Sequence, residues 1–442
     1  MATTRLLLKA GTLVTMDSTR RVLPGGGLIV SGSTIERVLS RDELASLPAF
    51  DGSVVDATSL TVIPGFIQTH VHLCQTLFRG LADDLPLLDW LRERIWPLER
   101  AHDADSVYWS ARLGVSELLL GGTTSVLDMG TVDHTDGVFR AAEEAGIRAF
   151  VGKAMMDLEN PSGLSEPTEQ SLRSAMDLRD RWHGRGRLRY AFAPRFVPSC
   201  SERLIRETVA EARRTGCLFH THASENEEEV AWVRRLSGRD NVVYLDDLGA
   251  SGPDVVLAHC VHLTEPEIGL LADRGTIVAH CPSSNLKLGS GLCRVPELLE
   301  RGVHVTLGAD GAPCNNRMDA FTEMRLAALL QKPRLGPASM PAPVVLRMAT
   351  VEGARALGLH AGALEAGREA DLVELDPDVL SGWGGGDPRA SIVYALTPAA
   401  VRRVWIGGQL VAADGQVVGW SGRETVAGCR LALDRVRQRA GL

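Results

Sequence analysis

Residues 255–280 read VVLAHCVHLTEPEIGLLADRGTIVAH, and they contain two short apolar runs separated by a helical pattern. The runs, Val255–His259 and Ile277–His280, have the length and apolar character of buried strands. The middle segment begins with Thr264 and carries Glu267 three residues later, which is the signature of a capping box at the start of a helix. A strand, a helix and a second strand in this order predict two parallel strands joined by a helix.

The same alternation recurs through the middle of the chain. Amphipathic helical patterns separate the apolar runs, as in Ser106–Leu120, Ser201–Thr215 and Glu265–Arg274. The eight runs are Val62–Thr69, Thr124–Met129, Arg148–Met155, Leu188–Pro194, Leu218–His222, Val255–His259, Ile277–His280 and Val303–Asp310. This alternation predicts an α/β protein whose parallel sheet closes into a (β/α)₈ TIM barrel. An open doubly wound sheet is the alternative, but no G-x-G-x-x-G motif follows the first run.

Short β-rich segments occupy both ends of the chain. Strand patterns cover parts of residues 5–40 and return at Asp371–Leu375, Ile392–Tyr394, Val401–Ile406 and Gln409–Val411. Gly407 and Gly408 predict a hairpin turn between the last two patterns, and Arg423–Leu442 has the pattern of a closing helix. Together these segments predict one small discontinuous β-sandwich. The predicted domains are residues 1–58 and 361–442 for the β-sandwich with its closing helix, and residues 59–360 for the barrel.

The composition is that of a globular, acidic protein. Among 442 residues, 45% are apolar and 23% are charged, which argues against intrinsic disorder. The formal net charge of −8 argues against nucleic acids and anionic membranes as partners and leaves small neutral substrates open. No run of about 18 apolar residues is present that could span a bilayer. The eight cysteines never form a C-x-x-C motif, so free thiols and a cytoplasmic location are expected.

Ionisable residues follow the predicted strands at their carboxyl ends, where barrel active sites form. They are His70, His72, His222, His259, His280 and Asp310. Residues two apart on a strand face the same side, so His70 and His72 are expected to point together. Imidazole nitrogens with a carboxylate favour Zn²⁺, with Fe²⁺ or Mn²⁺ as substitutes. Each histidine alone would be ordinary polar structure, but their conjunction predicts a metal site. His220 is expected behind that site or in the core.

The motifs at these strand ends resemble those of the amidohydrolase superfamily, in its cytosine deaminase-like branch of aminohydrolases and chlorohydrolases. The matching segments are PGFIQTHVH (64–72), HASE (222–225), HCVH (259–262), HCPSSNL (280–286) and LGADG (307–311). They are ordered and widely spaced, and the resemblance covers nearly the whole chain, including the split β domain. It implies a hydrolytic enzyme. A barrel retained only as a scaffold would be expected to lack metal ligands, and none is missing.

The resemblance also implies the roles of the site residues. It implies one divalent metal ion, held by His70, His72, His222 and Asp310. It implies Glu225 as the proton shuttle and His259 as the residue that orients the attacking water, and Asp310 can accept the first proton of that water. Bimetallic relatives carry a carboxylated lysine on the fourth strand, but Leu188–Arg195 contains no lysine, which favours a single metal. Glu227–Glu229 are expected to form a solvated helix start.

The segment after the first strand, residues 73–99, is expected to form a flap over the site. Within it, Leu87–Leu91 and Ile95–Glu99 resemble deaminases of 5′-deoxyadenosine, methylthioadenosine and S-adenosylhomocysteine. In those relatives the glutamate after Trp-Pro-Leu binds ribose hydroxyls, which implies that role for Glu99. The resemblance therefore predicts hydrolysis of the 6-amino group of a purine nucleoside, foremost 5′-deoxyadenosine or a related 5′-modified adenosine, to ammonia and the inosine analogue.

Several residues keep other substrates open. Gln75 and Arg195 form a pairing that resembles guanine deaminases, and with His259 they are candidate contacts for a heterocycle. Lys153 lies near the place where homocysteine-binding arginines are expected, which argues against a carboxylate tail on the substrate. Gly311–Asn316 favours the nucleoside deaminases. Guanine deaminase is the alternative function, and s-triazine chlorohydrolase is a further one. Relatives commonly form dimers or tetramers, so a homo-oligomer is expected.

Overall fold

The computed structural model describes residues 5–160, 162–380 and 382–442. Within them the strands are β1 Arg5–Val14, β2 Val22–Pro24, β3 Gly27–Ser31, β4 Thr34–Leu39, β5 Ser53–Pro64, β6 Phe66–His72, β7 Thr123–Met129, β8 Arg148–Gly152, β9 Ala154–Met155, β10 Leu188–Pro194, β11 Leu218–Ala223, β12 Val255–His259, β13 Ile277–His280, β14 His304–Leu307, β15 Asp310–Gly311, β16 Leu372–Leu375, β17 Val401–Ile406, β18 Gln409–Ala413 and β19 Gln416–Val417.

The α-helices are α1 Arg41–Ala45, α2 Leu87–Trp90, α3 Trp96–Arg100, α4 Ala104–Leu120, α5 Asp136–Ala145, α6 Thr168–Trp182, α7 Glu202–Thr215, α8 Glu227–Ser237, α9 Asn241–Asp247, α10 Glu265–Arg274, α11 Pro282–Lys287, α12 Val295–Glu300, α13 Ala312–Asn315, α14 Ala320–Leu329, α15 Lys332–Leu335, α16 Ala342–Met348, α17 Val351–Ala356, α18 Pro388–Tyr394 and α19 Gly422–Ala440. A π-helix, Leu91–Ile95, connects α2 to α3. The 3₁₀ turns are Leu73–Phe78, Val197–Ser199 and Pro398–Ala400.

The central sheet is a parallel barrel built from the strands that the apolar runs predict. Its hydrogen-bonded order is β14-β13-β12-β11-β10-β8-β7-β6, and the short β9 continues β8 alongside β10. The last strand is interrupted. β14 pairs with β13, and after Gly308 and Ala309 the chain continues as β15, which pairs with β6. This return of the last strand to the first closes the barrel and places Asp310 opposite Val71.

The first predicted run, Val62–Thr69, is divided between two sheets. Val62–Pro64 form the end of β5, which pairs with β1 and β16 outside the barrel, and β6 starts after Gly65. A Cβ at Gly65 would lie 2.2 Å from Thr124 Oγ1, so only glycine fits where the chain passes between the two sheets. The predicted domain boundary after residue 58 lies inside β5. The domain limits stay predictions.

Strands from the two chain ends form one continuous sheet outside the barrel. Its order is β19-β18-β17-β16-β5-β1-β3-β4, with β2 paired to β1. Leu8, Leu372 and Trp405 meet in its apolar core, so residues from both chain ends share one interior. The predicted hairpin is present, since β17 and β18 pair antiparallel on either side of Gly407 and Gly408. The fold class, a (β/α)₈ barrel with a small β domain from both ends, is confirmed.

The predicted helices correspond to α4, α7, α10 and α19, and the predicted capping box of α10 is formed. One terminal prediction is wrong, because Ile392–Tyr394 is the last turn of α18 and not a strand. Pro388 occupies the first turn of this helix, and the Asp387 side chain accepts a hydrogen bond from the backbone N–H of Arg389 (3.0 Å). These local start signals outweigh the β-branched character of the segment.

The cysteines are free thiols, as predicted, and they lie in the interior. All eight are buried and none is paired in a disulfide. Among the described residues, no helix combines the length and the apolar composition needed to cross a membrane.

Candidate active site

The ionisable residues predicted from the strand ends converge at one end of the barrel. His70 and His72 lie at the end of β6, His222 lies near the end of β11, and His259 ends β12. Asp310 begins β15, directly after the break in the last strand. None of these five residues is more than 9% exposed. Their polar atoms therefore face one another and not bulk solvent.

The rings of His72 and His222 face each other through their Nε2 atoms. The Nδ1–H of His72 donates to the carbonyl of Met129 (2.7 Å), and that of His222 donates to the carbonyl of Arg195 (2.6 Å). A carbonyl can only accept, so both Nδ1 atoms carry the proton and both Nε2 atoms present lone pairs. The two Nε2 atoms are 3.2 Å apart. Facing lone pairs repel unless a cation lies between them, which points to a metal site.

Asp310 completes the donor set through one carboxylate oxygen. Its Oδ1 lies 3.3 Å from both His70 Nε2 and His72 Nε2. Donors about 2.0–2.1 Å from a tetrahedral Zn²⁺ lie roughly 3.3 Å from one another, so this spacing fits such an ion. The buried His70 Nε2 has no hydrogen-bond partner, as expected of a ligand atom. An overlapping group also fits, because ligand atoms of His70, His222, His259 and Asp310 all lie within 4.8 Å of one another.

The first turn of α11 holds the other oxygen of Asp310 and the ring of His259. Ser284 Oγ donates to Asp310 Oδ2 (2.6 Å), and His259 Nδ1–H donates to Asn285 Oδ1 (2.9 Å). The sequence motif HCPSSNL contains both Ser284 and Asn285, but the sequence alone does not identify them as site residues. Their hydroxyl and amide groups are the only features in the sequence that could indicate a role in the site. The groups that they bind, Asp310 and His259, lie far away in the sequence on β15 and β12.

Glu225 reaches the same cluster from the loop after β11. Its Oε2 lies 3.4 Å from His259 Nε2, and its Oε1 is buried without a hydrogen-bond partner. Burial, together with the negative charge of Asp310, raises the pKa of Glu225 well above its ordinary value. A carboxyl group with a raised pKa is a better match for general acid catalysis near neutral pH. This is the property that a proton shuttle requires.

The residues after Glu225 do not all belong to a solvated helix start. Glu227 and Glu228 are exposed as expected, but Glu229 is buried. Its carboxylate accepts hydrogen bonds from the backbone N–H of Glu225 (2.7 Å) and from the side-chain amide of Asn241 (2.7 Å). The prediction for Glu229 is therefore wrong. Its side chain points inward and fixes the loop that carries Glu225.

A cavity opens beside this cluster. Leu87, Trp90 and Leu91 of the predicted flap form part of its wall, together with Phe196 and Leu288. The polar side of the wall is formed by His72, Gln75, Arg195, His222, Glu225, His259 and Asp310. A mostly apolar wall with a few convergent polar groups suits a small heterocyclic ligand.

Of the predicted substrate contacts, Gln75, Arg195 and His259 line this cavity, whereas Glu99 does not. Glu99 lies behind them. Arg195 Nη1 donates to Glu99 Oε2 (2.6 Å), and Gln75 Nε2 donates to Glu99 Oε1 (2.8 Å). The structure therefore brings these predicted contacts together, with the carboxylate of Glu99 engaged by its neighbours.

Three further residues singled out in the sequence lie near the site without lining the cavity. His220 Nε2 bonds to His70 Nδ1 (2.8 Å), so this ring holds the ring of His70 from behind. Lys153 is buried in an ion pair with Glu166. His280 is buried at the end of β13, and its Nδ1 has no hydrogen-bond partner.

Known proteins resemble this chain in fold and in sequence over nearly their full length. A model described as "Amidohydrolase family" matches residues 61–411. The chain is 42% identical to the 5′-deoxyadenosine deaminase of Methanothermobacter thermautotrophicus, over 90% of this chain and 92% of the relative. It is 40% identical to the 5-methylthioadenosine/S-adenosylhomocysteine deaminase of Syntrophobacter fumaroxidans, over 92% and 93%. A crystal structure of a zinc-bound adenosine deaminase from Xanthomonas campestris superposes with a TM-score of 0.93 at 32% identity and covers 99% of both chains.

The donor cluster and the zinc in that solved structure both support a divalent metal at the strand ends. The motifs that resemble the amidohydrolase superfamily lie at the ends of barrel strands, as predicted. Both the family model and the relatives span most of the sequence. On these grounds the chain belongs to the amidohydrolase family.

Proposed function

We propose that the chain removes the 6-amino group of a purine nucleoside by hydrolysis, with 5′-deoxyadenosine or a related 5′-modified adenosine as the preferred substrate. The products are ammonia and the corresponding inosine analogue. The observation that carries this proposal is the position of Glu225, whose Oε2 lies 3.4 Å from His259 Nε2 and which lines the same cavity as Gln75 and Arg195. The relatives named as deaminases of 5′-deoxyadenosine and methylthioadenosine support the choice of ring and sugar.

The donors proposed for the metal are His70, His72, His222 and Asp310. Three imidazole nitrogens and one carboxylate oxygen with contacts of 3.2–3.3 Å suit zinc, and iron or manganese would accept the same donor types. His259 is assigned to the water because its Nε2 lies nearer to Glu225 (3.4 Å) than to Asp310 (3.8 Å). When bound, the metal makes hydroxide available near neutral pH by lowering the pKa of water from 15.7 to about 7.

The protein's own groups move the protons. Glu225, with its raised pKa, protonates a ring nitrogen beside the carbon under attack and then the departing amine. His259 presents Nε2 toward Glu225 because Asn285 engages its Nδ1, and it thereby orients the water. Asp310, whose Oδ2 lies 3.8 Å from His259 Nε2, accepts the first proton of the water. Water adds its oxygen to the ring carbon, and as the carbonyl forms Glu225 takes the remaining proton of that oxygen and passes it to the amino group, which leaves as ammonia. The proton held by Asp310 then returns to Glu225.

A substrate panel tests this function. Zinc-loaded protein is incubated with 5′-deoxyadenosine, methylthioadenosine, S-adenosylhomocysteine, adenosine and guanine, and the ultraviolet absorbance of each base is followed. We expect the highest kcat/KM for 5′-deoxyadenosine or methylthioadenosine, because the flap residues Leu87, Trp90 and Leu91 give the cavity an apolar wall.

Two outcomes of the panel favour other functions. Guanine turnover without adenosine turnover would contradict the proposal and favour a guanine deaminase, the function that the pairing of Gln75 with Arg195 resembles. Chloride release from atrazine in place of nucleoside turnover would indicate an s-triazine chlorohydrolase, because hydroxide can displace either leaving group from an electron-poor ring.

A further inference from the structure

Glu323, on α14, has a buried carboxyl group that accepts hydrogen bonds from two separate segments of the chain. Its Oε2 accepts from the backbone N–H of Ser283 (3.1 Å). Its Oε1 accepts from the hydroxyl of Ser283 (2.5 Å) and from the side-chain amide of Asn315 (2.8 Å). Glu323 is 1% exposed and does not line the cavity. It therefore acts on the site only through the residues that it binds.

The first link runs through the short helix α11. Ser283 lies in its first turn, and Ser284 Oγ donates to Asp310 Oδ2 (2.6 Å). Asn285 Oδ1 accepts from the Nδ1–H of His259 (2.9 Å). A helix of six residues is too short to be stable by itself, so its position depends on contacts with the rest of the protein. The two bonds from Ser283 to the buried carboxyl group are such contacts, and they fix where Ser284 and Asn285 present their side chains.

The second link reaches the break in the last barrel strand. Ala309 lies between β14 and β15 and belongs to neither strand. Its N–H donates to Gln68 Oε1 (3.0 Å), and its carbonyl accepts from Asn315 Nδ2 (2.7 Å), the same amide nitrogen that donates to Glu323. The next residue, Asp310, has a left-handed backbone (φ 61°), which persists only where the surrounding structure enforces it. The amide of Asn315 supplies part of that constraint, and the buried carboxyl group fixes the amide.

We propose that Glu323 is a positioning residue of the reaction. Through α11 and through Asn315 it fixes where Asp310 and His259 lie relative to each other. One of these is a proposed metal ligand and proton acceptor, and the other orients the attacking water. The role rests on the proposed deaminase function, and it assigns a part in that function to a helix outside the barrel strands.

The variant Glu323→Gln tests this role with little change in side-chain volume. An amide in either orientation sets a donor against a donor, facing Ser283 N–H at one position and the Asn315 amide at the other. We expect the zinc affinity, measured by competition with a chromophoric chelator, and the kcat of zinc-saturated protein with 5′-deoxyadenosine each to fall by about 10–100-fold. The KM should stay close to that of the wild type, because Glu323 does not line the cavity. A wild-type kcat in the variant would overturn the inference.

Glu267→Gln is the matched control. Glu267 is also 1% exposed, and it accepts from the backbone N–H and the hydroxyl of Thr264 (2.8 and 2.9 Å) and from the backbone N–H of Val242 (2.8 Å). These bonds join the start of α10 to α9 and hold no residue of the metal-donor cluster. We expect the two variants to lose similar amounts of unfolding free energy, with zinc affinity and kcat preserved in Glu267→Gln. Equal losses of zinc affinity in both variants would show a general effect of buried hydrogen bonds, and the proposed role would fail.

A cobalt spectrum reports on the ligand geometry without any turnover. The visible absorption of bound Co²⁺ depends on the number, type and arrangement of its ligands. The metal-free proteins are titrated with Co²⁺ to saturation, and the bands are compared. We expect altered bands in Glu323→Gln, because Asp310 is displaced, and wild-type bands in Glu267→Gln. An unaltered spectrum in folded Glu323→Gln would contradict the proposal, whatever its metal affinity.

Two further variants apply if Glu323→Gln does not fold. Ser283→Ala and Asn315→Ala test the two links separately, because each removes one bond to the carboxyl group and leaves the other link in place. We expect an altered cobalt spectrum in at least one of them. Wild-type spectra in both would overturn the inference.

The metal measurements also distinguish failure of this inference from failure of the proposed function. If the wild type turns over no neutral adenosine, the proposed function fails, while an altered cobalt spectrum in Glu323→Gln would still support the placement of Asp310 by Glu323. Normal turnover by the wild type, together with an unaltered spectrum in Glu323→Gln, would defeat this inference alone.

Discussion

Hydrogen bonds from the Nδ1–H groups determine which nitrogen of each histidine ring presents a free lone pair to the site. Backbone carbonyls hold the Nδ1 protons of His72 and His222, which leaves Nε2 as the ligand atom of each ring. Asn285 does the same for His259 through a side-chain oxygen. A partner on the second ring nitrogen also fixes the orientation of the ring, so these neighbours are part of the chemistry.

Three residues of the site adopt a left-handed backbone. Ser224, His259 and Asp310 have φ values of 51°, 73° and 61°. This conformation costs a residue with a Cβ about 1–2 kcal/mol, and it persists only where the surrounding structure enforces it. Here the turn after each strand directs polar groups into the barrel mouth, and the stability of the barrel offsets the local cost.

Glu225→Gln separates proton transfer from metal binding. Glutamine resembles the neutral acid that burial favours at this position, but it cannot release a proton. We expect kcat with 5′-deoxyadenosine to fall by about 10²–10⁴-fold, while the zinc content measured by atomic absorption remains that of the wild type. Glu228→Gln, an exposed neighbour, should retain full activity. A loss of less than about tenfold in Glu225→Gln would exclude an essential proton shuttle at this position.

Among the elements, the short helix α11 organises more of the site than its length suggests. Ser283 Oγ donates to Glu323 Oε1 on α14 (2.5 Å), and the next two residues, Ser284 and Asn285, hold the carboxylate and the ring described above. Burial raises the pKa of Glu323 to about 7. One turn of helix therefore connects α14 to two groups contributed by other strands.

The break between β14 and β15 provides a test of how element geometry positions a metal ligand. A Cβ at Gly308 would lie 2.7 Å from His70 O and 2.8 Å from His70 Cβ, which are parts of a packed strand. We expect Gly308→Ala to displace His70, to lower the zinc content and to destabilise the fold by about 1–3 kcal/mol, read from thermal unfolding.

Gly269→Ala is the control for this substitution, because it lies within α10 with no atom within 4 Å of the added Cβ. It should leave the zinc content unchanged and be neutral or stabilising by about 0.5–1 kcal/mol. A wild-type zinc content and melting temperature in Gly308→Ala would show that the strand break does not need glycine.

At the scale of the whole molecule, a half-buried ion-pair cluster joins the barrel to the terminal sheet. Arg148, at the start of β8, donates to Asp371 Oδ2 (2.7 Å) and to Glu369 Oε2 (2.6 Å). The Asp371 side chain is 2% exposed, so it would be left as a buried charge if its partner were removed. We expect Arg148→Met to destabilise the protein by about 3–5 kcal/mol in denaturant unfolding.

Arg5→Met provides the comparison on the surface. Arg5 pairs with Glu36, and their side chains are 39% and 36% exposed. Solvent screens such a pair, so the loss should stay within about 1 kcal/mol. Equal effects of Arg148→Met and Arg5→Met would mean that the half-buried ion-pair cluster does not stabilise the contact between the two sheets.

Local patterns in the sequence were sufficient to predict the architecture. The apolar runs and the helices between them predict the barrel because burial imposes a different residue periodicity on strands and helices. Motif resemblance supplied the site residues, and His70, His72, His222 and Asp310 do converge. Local reasoning failed where a competing signal lay just outside the segment, as at Ile392–Tyr394, where Pro388 starts a helix. The homo-oligomer expected from the resemblance stays a prediction.

By itself, the sequence determined most of the element types, the barrel and the residue types at the strand ends, because these depend on short-range periodicity and motif spacing. Only the tertiary structure decided which atoms meet. The Nε2 atoms of His72 and His222, 150 positions apart, face each other, and Glu99 is bonded to Arg195, 96 positions away. Such contacts depend on how the closed barrel brings distant strand ends together, and a one-dimensional pattern contains no measure of that distance.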